Sequence, residues 1–266
     1  MQKTAFVFPG QGSQSVGMLE NIALQHPIIQ ETFKEASAVL GYDLWALSAQ
    51  GPAEKLNQTE YTQPALLTAG VAMWRLVEIL RGQAFISFLA GHSLGEYTAL
   101  VCSEALSFGD AVRLVALRGR LMQEAVKEGE GAMAAILGLD TPGIVAACAE
   151  VANGEVVEPV NFNANGQTVI AGHKAAVERA MEACKARGAK MAKALPVSAP
   201  FHSSLIRPAA DKLATRLAQL TLNTPVIPVI NNVDVAIESD TARIKDALIR
   251  QAYNPVRWVE TIQAMA

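Results

Sequence analysis

Gly91-His92-Ser93-Leu94-Gly95 holds a serine between glycines placed two residues before and two after it. The apolar run Ala84–Ala90 in front reads as a buried strand, and Glu96–Cys102 behind reads as a helix. Strand, G-x-S-x-G and helix in that order describe a nucleophile elbow. A serine on so sharp a turn has a strained backbone, so its neighbours must be small and its hydroxyl stands clear. The helix begins directly behind it, so the positive helix end faces charge that builds during attack. The competing reading is an ordinary Gly/Ser turn, which the five residues by themselves do not exclude.

A serine nucleophile needs a base. His26 precedes Pro27 in a polar loop, His173 begins a surface helix, and His92 is held inside the elbow. His202, in the irregular segment Ser198–Ser203, is the base by elimination, on a loop of the kind that presents catalytic side chains. An acid that would orient it is not evident, because Asp110 reads as a helix cap and Asp140 as a turn residue. A main-chain carbonyl can take that part, fixing the tautomer without adding charge. The oxyanion needs two backbone N–H groups. Leu94 follows the serine, and Gln11 lies between glycines in the loop Pro9–Gln14 after the first strand. The rival reading of Gly10-x-Gly12 as a dinucleotide loop meets Ser15 where a third glycine belongs.

Laid out at about 100° per residue, the helix expected over 110–126 puts Ala111, Leu114, Leu121, Met122 and Ala125 on one arc. Arg118 falls in the middle of it, while Arg113 and Arg120 lie on the polar side. A guanidinium on an apolar face must be paired. It either bridges a fixed carboxylate or awaits a ligand carboxylate, and the sequence leaves both open.

The chain has 266 residues, 51% of them hydrophobic and 18% charged, with a net charge of −3. That composition supports a large core and gives no basic domain for nucleic acid. Three widely spaced cysteines and four histidines show neither disulfide nor metal-ligand spacing, which fits a reducing cytoplasm. No leader peptide or membrane span is expected. Short apolar strands alternate with helices, so an α/β fold with a mostly parallel sheet, α/β-hydrolase-like, is expected. Between about 128 and 196 the order is β-α-β-β-α-β, the ferredoxin-like arrangement. The expected organisation is therefore a main catalytic domain of 1–127 and 197–266, an inserted ferredoxin-like subdomain of 128–196, and a site in the cleft they leave.

Phe8–Gln14, Gln63-Pro-Ala65, Gly91–Tyr97, Leu117-Arg-Gly119, Gly131–Ala134, Val160–Asn163, Pro200-Phe-His202 and Tyr253–Trp258 together resemble the bacterial malonyl-CoA:acyl-carrier-protein transacylases, over the full chain. Those acyltransferases load malonyl units for fatty acid synthesis. The resemblance implies Ser93 as the acyl carrier, His202 as its base, and Gln11 and Leu94 as oxyanion donors. It implies that Arg118 holds the malonyl carboxylate and that Gln251 offers its main-chain carbonyl to His202. Gln63 and Asn161 would line the pocket, or be capping or turn-satisfying amides. Phe201 would crowd a 2-methyl branch and so favour malonyl. The implied partners are malonyl-CoA, coenzyme A and acyl carrier protein, with no cofactor, nucleic acid or membrane, and the chain is expected to act as a monomer. Members of the family continue past the position of Ala266 through a Gly-Pro-Gly loop, a strand and a closing helix.

Two other classes fit parts of the pattern. A thioesterase or lipase-type hydrolase would show an acidic third member and an apolar acyl tunnel, and a non-catalytic acyl-binding module would need neither Ser93 nor His202. Carrier proteins are acidic, so Lys185, Arg187, Lys190 and Lys193 form a candidate docking stretch, with a solvated helix face as the alternative.

Overall fold

The first apolar run forms a strand, β1, over Thr4–Phe8. The chain continues through short α1 (Glu20–Ala23), then α2 (Ile28–Leu40), α3 (Leu44–Gln50), α4 (Ala53–Leu56) and the long α5 (Thr59–Arg81). Next come β2 (Ile86–Gly91), α6 (Leu94–Cys102), α7 (Phe108–Glu124), β3 (Gly131–Leu137), α8 (Thr141–Val151), β4 (Val157–Ala164) and β5 (Gln167–His173). The remainder is α9 (Lys174–Ala186), β6 (Met191–Ala194), α10 (Arg207–Ala218), β7 (Val229–Ile230), α11 (Thr241–Gln251) and α12 (Trp258–Met265). This computed structural model describes residues 4–81, 86–197 and 199–266; positions 84 and 85 of the expected elbow strand, and Ser198 of the expected histidine segment, lie outside them.

The chain divides into two compact units, Met1–Arg120 with Arg216–Asn231 and Ala236–Ile244, and Leu121–Thr215 with Asn232–Val235 and Lys245–Ala266. The first contains a parallel sheet of order β1-β2-β7, with the elbow strand β2 in the centre. Helices α5 and α6 pack against each other, with Leu67, Val71, Trp74, Tyr97 and Leu100 buried. The expected strand Val226–Asn231 is paired only at Val229–Ile230. Pro225 and Pro228 have no N–H for a ladder, and Val226 donates instead to the Ser103 carbonyl at 2.9 Å.

The second unit contains an antiparallel sheet of order β4-β5-β3-β6, in which the last strand lies beside the first and the second strand lies at the far edge. Together with α8 and α9 this is the ferredoxin-like order. Its core joins Ile136, Ile144, Cys148, Val157, Ile170, Val177 and Cys184. Asp140, expected as a turn residue, is the N-cap of α8, its carboxylate accepting from Gly143 N–H at 2.9 Å. The expectation that Asp110 caps α7 is corrected. Ser107 is the capping residue, its hydroxyl accepting from Asp110 N–H at 3.2 Å and donating to the Asp110 carboxylate at 2.8 Å.

Candidate active site

The elbow is built by close approach. Ser93 has φ 52 and ψ −106, outside the conformations a serine ordinarily adopts. A Cβ on Gly91 would lie 1.8 Å from the carbonyl carbon of Gly95, and one on Gly95 would lie 2.3 Å from the Phe8 carbonyl oxygen. Neither position can carry a side chain without breaking the turn. His92 N–H donates to Phe8 at 3.0 Å and Gly95 N–H to His92 at 2.9 Å, which closes the turn against β1. The Ser93 side chain does not cap α6, so its hydroxyl is not spent on the helix. Leu94, 1% exposed, opens α6, where backbone N–H groups have no intrahelical acceptor.

Around this hydroxyl the first unit gathers three more of the expected residues. Arg118 is 2% exposed on α7, and its arc partners Ala111, Leu114, Leu121 and Met122 are buried with it. Its Nη2 donates to Ser93 Oγ at 3.1 Å and its Nη1 to Gln63 Oε1 at 2.9 Å. Both acceptors are neutral. The ring of Tyr97, itself fully buried on α6, lies under the guanidinium with its centroid 5.2 Å away. Burial pulls the Arg118 guanidinium below its ordinary range, and pushes the Tyr97 phenol up to about 12 against the opposing pull of Arg118. Gln11 is fastened by its side-chain amide to Thr59 Oγ1 at 3.2 Å, one helical turn before Gln63. Gly10 beside it packs so tightly on the elbow that a Cβ would lie 2.7 Å from the His92 carbonyl oxygen.

The second unit holds the remaining residues. His202 is 4% exposed and also has a positive φ, 66°. Its Nδ1 is 2.8 Å from the main-chain oxygen of Gln251. A carbonyl only accepts, so Nδ1 carries the hydrogen and Nε2 the lone pair, the tautomer a base needs. Gln251 closes α11, where carbonyls lack intrahelical donors, which frees its oxygen for this bond. Phe201 is 8% exposed beside the histidine, and Asn161 is 6% exposed on β4. His173, expected to be solvated, accepts the Val156 N–H on Nδ1 at 2.9 Å and so serves the fold. In the candidate docking stretch, Lys185 pairs with Glu182 at 2.8 Å and Arg187 with Glu150, while Lys190 and Lys193 are exposed.

Tyr97 under Arg118 was given no part by sequence reasoning. The signal available was its spacing, one helical turn after Ser93 on the same face of α6. Among the described residues no group of three or more His, Cys, Asp or Glu side chains is placed to hold a metal ion, and no helix is long and apolar enough to cross a membrane.

Residues 5–266 match the family model of the acyl transferase domain. The chain is 62% identical over 266 residues to the malonyl CoA-acyl carrier protein transacylase of Salmonella typhimurium, covering all of this chain and 86% of that protein. It is 58% identical to the protein of the same name from Haemophilus influenzae, covering 85% of it. Among solved structures, an acyl carrier protein S-malonyltransferase from Vibrio cholerae superposes with a TM-score of 0.97 at 60% identity, over 99% of this chain and 86% of that one. A malonyl-transacylase in complex with a type II polyketide synthase acyl-carrier protein superposes equally well, at 59% identity over 98% of this chain and 84% of that one. The elbow serine, the oriented histidine and these likenesses agree, and the chain belongs to the acyl transferase family.

Proposed function

We propose that this chain transfers the malonyl group of malonyl-CoA to the phosphopantetheine thiol of acyl carrier protein through a malonyl-Ser93 intermediate, supplying fatty acid synthesis. The carrying observation is the bond from a buried guanidinium to the elbow hydroxyl, Arg118 Nη2 to Ser93 Oγ at 3.1 Å. An acyl group on that oxygen lies within reach of a fixed cation, so the acyl group that fits is one ending in a carboxylate.

Ser93 Oγ attacks the thioester carbonyl as its proton passes to His202 Nε2. The N–H groups of Gln11 and Leu94 receive the oxyanion. The tetrahedral adduct collapses, the C–S bond breaks, and coenzyme A leaves with the proton from His202. The carrier thiol then attacks the malonyl ester, giving its proton to His202, which returns it to Ser93. Gln251 stabilises the imidazolium through its carbonyl dipole, so the site works as a dyad with a backbone helper. Gln63 steers Arg118, Asn161 lines the acyl pocket, and Phe201 disfavours a 2-methyl branch. The reaction so written balances without a cofactor. The chain acts as a cytoplasmic monomer, and residues 128–196 are an insertion in a catalytic domain of 1–127 and 197–266.

The test is malonyl transfer from malonyl-CoA to holo acyl carrier protein, followed by mass spectrometry. Stoichiometric malonyl carrier protein with little free malonate is expected. Malonate released as fast without carrier as it is transferred with it would make the chain a hydrolase.

A further inference from the structure

We propose that Glu158 is a positioning residue for the candidate base, and that β4 is the template that sets the His202–Gln251 bond. This rests on the reading of His202 as the base.

The observations close a ring within the second unit. Both oxygens of the Glu158 carboxylate are engaged by Ser204, one by its N–H and the other by its hydroxyl, each at 2.8 Å. Ser204 starts the short 3₁₀ turn Ser204–Ile206, two residues after His202. Further along the same strand, Val160 accepts from Val256 N–H at 2.9 Å and Phe162 N–H donates to the Val256 carbonyl at 3.0 Å. Val256 follows Gln251 by five residues, and Gln251 accepts from His202. The donor turn and the acceptor turn are thus hung from one strand, two residues apart.

The local structure explains why β4 can do this. It is an edge strand, which tolerates Pro159, and its register against β5 shifts between Pro159 and Asn161 and again between Phe162 and Ala164. An edge strand turns alternate main-chain groups away from its one neighbour, and Val160 and Phe162 spend theirs on Val256. A second clasp lies beyond the ring, where the Arg207 guanidinium sits 4.8 Å from the centroid of the Tyr253 ring.

The need for such fasteners follows from the backbone of His202. A φ of 66° is costly for a residue with a Cβ and persists only where the surroundings over-determine it. The turn itself offers short-range bonds, from Ser203 Oγ to the Pro200 carbonyl at 2.7 Å and from Phe201 N–H to Ala199 at 3.0 Å. None of these reaches across to Gln251. Glu158 ties the turn through two charge-assisted bonds to β4, the strand that also holds Val256 of the acceptor segment. Glu158→Gln keeps the length of the side chain but leaves one acceptor oxygen for two donors.

The experiment is steady-state malonyl transfer by E158Q, S204A, H202A and the control E155Q, which alters the surface ion pair of Glu155 with Arg179 in the same unit. E158Q is expected to lower kcat roughly tenfold to a hundredfold through misplacement of the base, with KM for malonyl-CoA within about twofold and unchanged circular dichroism. The low-pH limb of its kcat/KM profile is expected to move, because the tautomer and charge of His202 are less well fixed. S204A, which keeps the N–H bond, is expected to lose about threefold, and E155Q nothing. Wild-type kcat and pH profile in a folded E158Q would overturn the proposal. If E158Q fails to fold, S204A decides, and wild-type kcat there overturns it. An inactive H202A with normal E158Q removes only this proposal, whereas a fully active H202A removes the base assignment as well.

Discussion

Ser93 and His202 are two of six non-glycine residues with positive φ among the described residues, and they are held in opposite ways. The serine turn is enforced by crowding. Gly91, Gly95 and Gly10 bring backbone to within distances no Cβ would survive, and two main-chain bonds close the turn. The histidine turn is held by polar fasteners from other segments, the Gln251 carbonyl and the Glu158 carboxylate. Steric enforcement suits a nucleophile, since the turn is fixed without spending the hydroxyl on holding it. Hydrogen-bonded enforcement suits a base, since the bond that holds the ring also sets which nitrogen carries the proton. One is made by glycines crowding the elbow against the backbone of Phe8 and Gly10, the other by polar groups from segments about fifty positions away.

That contrast can be broken at several points. Removing the chemistry is the largest effect: Ser93→Ala is expected to lower malonyl transfer by at least ~10⁴-fold, and His202→Ala by a similar order, because members of such a pair act as a unit. Equal activity in either variant, measured by single turnover, would separate that turn from catalysis. Gly95→Ala tests the steric half. With its Cβ 2.3 Å from the Phe8 oxygen, the variant is expected to lose several kcal/mol of stability, seen as a collapse of soluble yield and of the unfolding midpoint. A stable Gly95→Ala enzyme would show the elbow is looser than its geometry implies.

Arg118→Ala addresses selectivity. The malonyl-over-acetyl preference is expected to fall by ~10²-fold, the scale of a lost buried charge-assisted pair, with acetyl transfer itself retained. Unchanged preference in competition assays would make Arg118 a structural residue only. The smallest effect lies beside Gln251, where Arg250 donates to both oxygens of Asp234 at 2.8 and 2.7 Å. Hydrogen bonds from Arg250 hold the Asp234 carboxyl below its ordinary value. A depressed folded-state value adds stability at pH above the usual carboxylate range, and that stability is lost as pH falls through it. Asp234→Asn is expected to lower Tm by roughly 2 °C at pH 7, as for an exposed pair, with the two melting curves converging below about pH 4. A gap that persists in acid would assign the effect to packing.

The elbow, the parallel strands and the β-α-β-β-α-β order were legible because they rest on local patterns, glycine spacing and apolar periodicity. The buried Arg118 was legible from its arc on one helix. Asp110 was misjudged because Ser107 and Asp110 both suit a helix start, and only the bond from Asp110 N–H to the Ser107 hydroxyl decides which is the cap. The strand at 226–231 was overdrawn because Pro228 within it and Pro225 just before it cannot donate to the ladder. His173 looked solvated because a lone histidine before a helix shows nothing of Val156 behind it. Glu158 and Ser204, 46 residues apart, carry no mutual signal in one sequence.

The most direct measurement is incubation of the enzyme with malonyl-CoA alone, rapid acid quench, and peptide mapping by mass spectrometry. A single malonyl ester on Ser93, absent from Ser93→Ala and discharged by holo acyl carrier protein, is the expected result. A malonyl group found on another side chain, or transfer at full rate with Ser93 never modified, would contradict the account.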